Sequence, residues 1–141
     1  MRRNFKTMLL LLEHLEKGRL NELIEHPVGK GSELRNIQSY VERKRQNLLE
    51  HLLLLKESGY VNQLSISFTE DGLVFHGQKC RLTMKGHDLL AIMRSKPMLT
   101  RMQEILAGTG LPLTADSLAL IQHEAIDELV REWAVQHKKL F

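Results

Sequence analysis

The fold is decided by residues 43–90, which open with Arg43-Lys44-Arg45-Gln46-Asn47-Leu48-Leu49-Glu50-His51-Leu52-Leu53-Leu54-Leu55-Lys56-Glu57-Ser58-Gly59. Leucines recur in this run at positions i, i+4 and i+7, and polar residues occupy the opposite side. That spacing predicts an amphipathic helix. Gly59 is predicted to end the helix, because glycine most easily takes the left-handed conformation found at helix C-termini.

The second half of the stretch predicts a β-hairpin and another helix. A strand-like segment covers residues 60–68, Asp71-Gly72 is a turn signal, and a return segment ends at Leu82. Apolar residues that alternate along these segments are expected to bury one face against the helices: Leu64, Ile66, Phe68, Leu73 and Phe75. Thr83 is placed to cap a helix over residues 84–94. The order helix, hairpin, helix is typical of the second half of a winged helix.

Two residues of the last segment have a structural interpretation. Thr83 supplies a hydroxyl that accepts a hydrogen bond from the first turn of the helix. Gly86 lacks a side chain, and it therefore allows close packing against a neighbour despite a helix-propensity cost of about 1 kcal/mol.

The flanking segments are predicted to be mainly helical. The first helix spans residues 4–17, with Asn4 as its N-cap and Gly18 as its stop. For residues 19–40 the sequence allows two predictions, the second helix of a winged helix or a short first strand. A short helix over residues 21–26 is one option.

The C-terminal segment predicts two more helices. Pro97 begins one that runs to residue 107, and Thr114 caps another over residues 115–138. An apolar stripe follows the last helix: Leu118, Ile121, Ala125, Leu129 and Trp133, flanked by Ile126 and Val130. We therefore predict a mostly α protein with a small β-hairpin. Residues 1–96 would form a winged helix-turn-helix core, and residues 97–141 a helical extension that packs on it or forms a dimer interface.

Composition narrows the class of protein. The chain has 141 residues, of which 43% are hydrophobic and only 5% aromatic, so the core must be largely aliphatic. No apolar run approaches the roughly 20 residues that span a bilayer, and the single Cys80 cannot form an internal disulfide. These features favour a cytoplasmic protein without a membrane segment. Residues 1–96 carry 16 Lys and Arg against 11 Asp and Glu, a net +5, which permits a polyanionic partner.

Two segments also carry a family resemblance: residues 51–61, HLLLLKESGYV, and residues 81–90, RLTMKGHDLL. Together they resemble a family of small bacterial and prophage winged-helix proteins of unknown function. In that family a histidine and leucine-rich helix ends in EAGL, and a hairpin leads to RLTWEGHEFL. The resemblance covers residues 48–96 and implies the winged-helix fold, but it implies no catalytic residues.

No pattern of reactive residues predicts an enzyme. His123-Glu124 begins like a zinc-protease helix, but Asp127 stands where the second histidine would be needed. His51 and His87 are expected to meet where their helices pack, either as a hydrogen-bonded structural pair or as a pH-sensitive or metal-binding pair. Cys80 is expected to be a buried thiol. We predict no catalytic residue, metal or cofactor.

The predicted recognition helix carries the best functional candidates. Arg43, Gln46, Asn47 and Glu50 recur at i, i+3, i+4 and i+7, which predicts one exposed row with Lys44 at its edge. Arginine can pair with guanine, and Gln or Asn with adenine. Basic residues expected to contact phosphates are Lys79 and Arg81 in the hairpin and Arg2, Arg3 and Lys6 at the N-terminus.

These observations give two hypotheses. The first is a DNA-binding transcriptional regulator of bacterial or phage origin that contacts duplex DNA through this row and dimerises through its C-terminal helix. The alternative is a non-catalytic protein-interaction module that presents Leu53, Leu54 and the C-terminal helix to a protein partner.

Overall fold

The structure is a computed structural model that describes residues 3–29, 33–76 and 79–138. Six α-helices, one 3₁₀ turn and four short strands occur in these ranges. In chain order they are α1 (Phe5–Glu16), α2 (Leu20–Glu25), the 3₁₀ turn (Glu33–Asn36), α3 (Gln38–Glu57), β1 (Val61–Asn62), β2 (Ser65–Thr69), β3 (Gly72–His76), β4 (Arg81–Leu82), α4 (Met84–Arg94), α5 (Lys96–Thr109) and α6 (Ala115–Gln136). The predicted class, mostly α with a small β-hairpin, is confirmed.

The chain divides into two compact units, Met1–Leu90 and Ala91–Phe141. The division falls inside α4, whereas the sequence placed the domain boundary between residues 96 and 97. Each unit has its own set of buried aliphatic side chains, and each is described separately below.

The N-terminal helix agrees with its prediction. The Asn4 side chain accepts a hydrogen bond from the backbone N–H of Thr7 at 2.8 Å, so it caps α1. Gly18 follows the helix with φ of 68°, a left-handed conformation that favours glycine. These local signals therefore define both ends of α1.

In the segment 19–40, for which a helix or a strand was predicted, the described residues 19–29 and 33–40 contain no strand. The short helix predicted there is α2, and the 3₁₀ turn leads directly into α3, which begins at Gln38 rather than Arg43. The earlier start was missed because Ile37, its N-cap, supplies no side-chain hydrogen bond. The polar residues that follow also lack helical apolar periodicity.

The hairpin is interrupted where the sequence predicted two continuous strands. Gln63 has φ of 56° and separates β1 from β2. The result is two antiparallel ladders, β1 with β4 and β2 with β3. Leu64 and Leu73 are buried as expected, but Phe68 is 75% exposed. Burial of Phe68 was wrongly predicted: β3 packs on α3, while β2 lies on the far side of β3.

The junction between the hairpin and α4 confirms the capping prediction. The Thr83 hydroxyl accepts from the Gly86 N–H at 3.1 Å and donates to the Gly59 carbonyl at 2.7 Å. A Cβ added at Gly86 would overlap the Tyr60 carbonyl oxygen and lie 3.1 Å from the Leu82 side chain. Glycine is therefore required at this crossing.

The core of the first unit is aliphatic, as composition required. α1 packs against α2, α3 and β4, and α2 packs against α3. The most deeply buried side chains, at 1% exposure or less, come from three helices: Phe5, Met8, Leu11, Leu12, Leu49, His51, Leu52, Leu55, Leu89 and Leu90. His51 is the polar member of this group.

The second unit contains α5 packed on α6. Pro97 lies in the first turn of α5, and Gly110 ends it with φ of 67°. Thr114 and Ser117 form a reciprocal capping box at the start of α6. The described buried side chains of this unit are Met93, Met98, Met102, Leu113, Ser117, Leu118, Ile121 and Ala125. The predicted stripe on α6 is therefore buried only in its first half.

Candidate nucleic-acid interface

Two of the predicted DNA contacts are available on the N-terminal half of α3. Arg43 and Lys44 are both exposed there. The Lys44 ammonium lies 5.7 Å from the centre of the Tyr40 ring, a cation–π distance that orients it along the first turns of the helix. These two side chains therefore present positive charge to solvent.

Gln46 does not belong to an exposed row, and that part of the prediction was wrong. Its Oε1 accepts from the Leu73 N–H at 2.8 Å, and its Nε2 donates to the Leu73 carbonyl at 3.1 Å. A Cβ on Gly72 would lie 2.7 Å from Gln46 Oε1, so glycine allows this approach. The Gln46 amide thus makes the two backbone hydrogen bonds that a residue of a neighbouring strand would make. It holds the turn end of the hairpin against α3.

The remaining members of the row, Asn47 and Glu50, are only partly exposed. Asn47 is half-buried, and its Oδ1 is buried with no hydrogen-bond donor among the described residues. Glu50 lies 3.7 Å from the Arg3 guanidinium, which offsets the charge of both. The predicted row therefore reduces to Arg43, with Lys44 beside it.

The predicted hairpin contacts are Lys79 and Arg81, and Lys79 lines a cleft together with Arg45 of α3. Arg81 pairs with Asn62 at the base of the hairpin, close to where α3 ends. With its amide oriented to satisfy both groups, Gln63 donates to the Lys79 carbonyl and accepts from Arg81, each at 3.1 Å. Lys79 and Arg81 are both exposed.

The turn of the hairpin is acidic. Glu70 and Asp71 connect β2 to β3, and both are exposed. Gln46 holds the neighbouring residue Leu73 against α3, so this acidic turn lies beside that helix. Lys6 is exposed on α1, and Arg2 lies outside the described residues.

Arg45 has a role that the sequence did not indicate. Its guanidinium donates to the carbonyls of Ile24 at 2.8 Å and Glu25 at 3.1 Å, and it pairs with Glu42. It therefore satisfies carbonyl groups in the last turn of α2 and joins α2 to α3. No local pattern distinguishes Arg45 from its basic neighbours, because the two carbonyl groups that it binds are 21 and 20 residues away.

A cleft of about 860 Å³ lies between α2, α3 and β3. Ile24, Leu49 and Phe75 contribute apolar surface, while Glu25, His76 and Lys79 contribute charged or polar groups. Both signs of charge therefore occur along its lining.

The two histidines expected to pair do not meet. His51 is fully buried, and its Nε2 accepts from the Asn4 N–H at 2.9 Å. Its Nδ1 therefore carries the proton and donates to the Asn47 carbonyl at 2.8 Å. His87 is exposed, so the predicted pair was wrong: the backbones of α3 and of the Asn4 cap already occupy both ring nitrogens of His51.

Burial sets the protonation of the two reactive candidates. Desolvation lowers the pKa of His51 from its ordinary 6.5, although the Asn47 hydrogen bond opposes the shift. The same effect raises the pKa of the half-buried Cys80 thiol. Both groups are therefore neutral near pH 7. Across residues 3–29, 33–76 and 79–138 there is no group of three or more His, Cys, Asp or Glu able to hold a metal ion.

In the same part of the chain, no helix combines the length and the apolar character needed to cross a membrane. Comparison with models of known protein families, with curated proteins and with solved structures finds no match.

Proposed function

We propose that residues 1–90 form a winged helix that binds duplex DNA as a regulator, through the N-terminal half of α3. The observation that supports this most directly is the pair of hydrogen bonds between the Gln46 amide and the backbone of Leu73, which we call the Gln46 clamp. It holds a hairpin beside the helix, as a wing would lie. The order of elements agrees: three helices, then the hairpin, then the start of α4. Arg43 and Lys44 are the exposed cations next to this arrangement.

The structure changes which residues take part. Arg43 would contact a base edge or a phosphate, and Lys44 a phosphate. Gln46 leaves the base-reading set because its amide holds the hairpin, and Asn47 leaves it because its oxygen is buried. With Glu70 and Asp71 at the turn, binding would depend on few phosphate contacts and be correspondingly weak.

A salt titration of binding to random duplex DNA tests the proposal. The double variant Arg43→Ala with Lys44→Ala removes two cations from α3, and we expect the slope of log K against log salt to fall by about 2. The matched control is Lys17→Ala with Arg19→Ala, which removes the same charge from the exposed turn between α1 and α2.

Three outcomes would contradict DNA binding at α3. They are no binding at low salt, an unchanged slope in the α3 variant, and an equal loss in both double variants. The last result would indicate attraction to net charge rather than a site.

A second candidate, a protein-interaction module, is favoured by the acidic turn and by apolar side chains exposed on α6. The structure corrects the surface first expected for it. Leu54 is only 3% exposed and belongs to the core, so it cannot be presented to a partner. Absence of DNA binding at low salt would favour this candidate.

A further inference from the structure

The two outer edges of the hairpin are not equivalent. The edge of β3 is closed by α3, because the Gln46 amide binds both the N–H and the carbonyl of Leu73. Residues of an antiparallel pair alternate between bonding each other and pointing their N–H and carbonyl groups outward. Since Leu73 points outward and faces Phe68 across the ladder, Phe68 points its own groups to the opposite edge, and so does Ile66. Within the described residues, this β2 edge has no partner strand.

The β2 edge lacks the features that usually keep an exposed strand from pairing with another chain. The strand is Ser65-Ile66-Ser67-Phe68-Thr69, which contains no charged residue and no proline. Phe68 is 75% exposed, although its cross-strand neighbour Leu73 is buried. An uncharged edge with outward N–H and carbonyl groups and an exposed aromatic ring is suited to accept a further strand.

We propose that the strand added to this edge is β2 of a second copy of the chain, in antiparallel orientation. The pattern of β2 is the same in both directions, because small hydroxyl residues alternate with large apolar ones about Ser67 at the centre. Pairing about Ser67 puts Ile66 of each chain opposite Phe68 of the other. The outward N–H and carbonyl groups of both residues then bond across the contact. Each exposed Phe68 ring also gains an apolar cross-strand neighbour.

The charges at the two ends of the hairpin favour a second copy in this orientation. Glu70 and Asp71 are exposed at the turn, and Lys79 and Arg81 are exposed at the base. Within the described residues, none of the four takes part in an ion pair. Continued past β2, the register places Asp71 opposite Gln63 of the second copy, and the Gln63 side chain contacts Arg81.

Each acidic turn therefore approaches the positive charges at the base of the other hairpin. The two-fold symmetry of the pair repeats this attraction at both ends and closes the contact after two copies. A parallel pair would instead bring the two acidic turns together, where their like charges repel.

Sedimentation equilibrium of the full chain, at concentrations up to about 1 mM, tests the edge, because a contact between two short strands is expected to be weak. We expect a dimer, and we expect Phe68→Lys to raise its dissociation constant by about 10-fold or more, since a cation replaces the ring beside Ile66. Leu120→Lys is the matched control: Leu120 is 66% exposed in α6, outside the hairpin, and the charge change is the same. Circular dichroism checks that both variants fold. A monomeric wild type, or equal weakening in both variants, would overturn the pairing.

Two charge variants distinguish a second copy from any other strand on this edge. Asp71→Lys and Arg81→Glu each place like charges together at both ends of their own dimer, so each alone should associate more weakly than wild type. A mixed pair of the two variants has opposite charges at both ends again. Mixing them should therefore restore association, and a mixture that associates no better than either variant alone would contradict the antiparallel contact.

Disulfide trapping tests the register. In a Cys80→Ser background and glutathione redox buffer, Ser67→Cys should crosslink with itself, because this position faces its own copy across the two-fold axis. Thr69→Cys faces Ser65 of the second copy, so it should crosslink with Ser65→Cys in preference to itself. Equal residues face each other in a parallel pair, and dominant self-crosslinking of Thr69→Cys would therefore overturn the proposed orientation.

Discussion

The two units of the chain use polar side chains in different ways. In residues 1–90, buried or half-buried polar groups complete the backbone of distant segments: His51 binds Asn4, Gln46 binds Leu73, and Arg45 binds the end of α2. In residues 91–141, Thr114 and Ser117 cap their own helix, and Arg101 pairs with Glu128 and Glu132 at the surface. Exposed ion pairs contribute little to stability. The first unit is therefore specified by long-range polar contacts, and the second by helical pattern.

Glycine substitutions should give the largest difference between the units. Gly86→Ala is expected to lower the free energy of unfolding by about 3 kcal/mol, because its Cβ would overlap the Tyr60 carbonyl. Gly108→Ala should instead be neutral or stabilise by up to about 1 kcal/mol, since nothing lies within 4 Å of its Cβ position in α5. Urea denaturation measures both, and equal effects would contradict the close crossing at Gly86.

Removing the hairpin clamp should have the next largest effect. Gln46→Met keeps the side-chain length but leaves the Leu73 N–H and carbonyl without their partner, at a cost of about 1–2 kcal/mol. Hydrogen exchange of the Leu73 amide should accelerate in this variant. Gln38→Met, at an exposed site on the same helix, should change stability by less than about 0.5 kcal/mol. Unchanged protection of Leu73 would argue against the clamp.

The smallest expected effect is the pH dependence contributed by His51. Its pKa is lowered in the folded protein, so the unfolded chain binds the proton first as pH falls below 6.5. Stability should then decrease toward acid, by at most about 1.4 kcal/mol per pH unit, until the folded-state pKa is reached. The groups that act on this titration are Arg3, Glu50 and the Asn47 carbonyl.

Two histidine variants isolate that contribution. His51→Gln removes the titrating group and should flatten the stability curve below pH 6.5 relative to wild type. His87→Gln removes an exposed histidine and should leave the curve's shape unchanged. Equal flattening in both variants would contradict the specific role of the buried ring.

The features predicted correctly from sequence are those that depend on near neighbours. Asn4, Thr83 and Thr114 cap helices by accepting from backbone groups three residues ahead, and Gly18 and Gly59 follow helix ends with positive φ. A short pattern contains all the information these contacts need. Gly86 was also identified from its place in a helix, although its partner at Tyr60 was not.

The candidate site was predicted less well because its contacts are long-range. Helical spacing placed Arg43, Gln46 and Glu50 on one face, but it gave no sign that the hairpin turn would return to Gln46. It likewise gave no sign that Arg3 would form an ion pair with Glu50, or that the Asn4 N–H would donate a hydrogen bond to His51. Each partner lies 27 to 47 residues away along the chain.

The sequence by itself determined a mostly helical chain with a hairpin after the leucine-rich helix, because apolar periodicity and caps act within a few residues. The tertiary structure decided which polar side chains remain available, since burial and hydrogen bonds between distant segments depend on how the elements pack. In residues 43–90 that packing leaves Arg43 and Lys44 exposed and uses Gln46 and His51 to hold the fold.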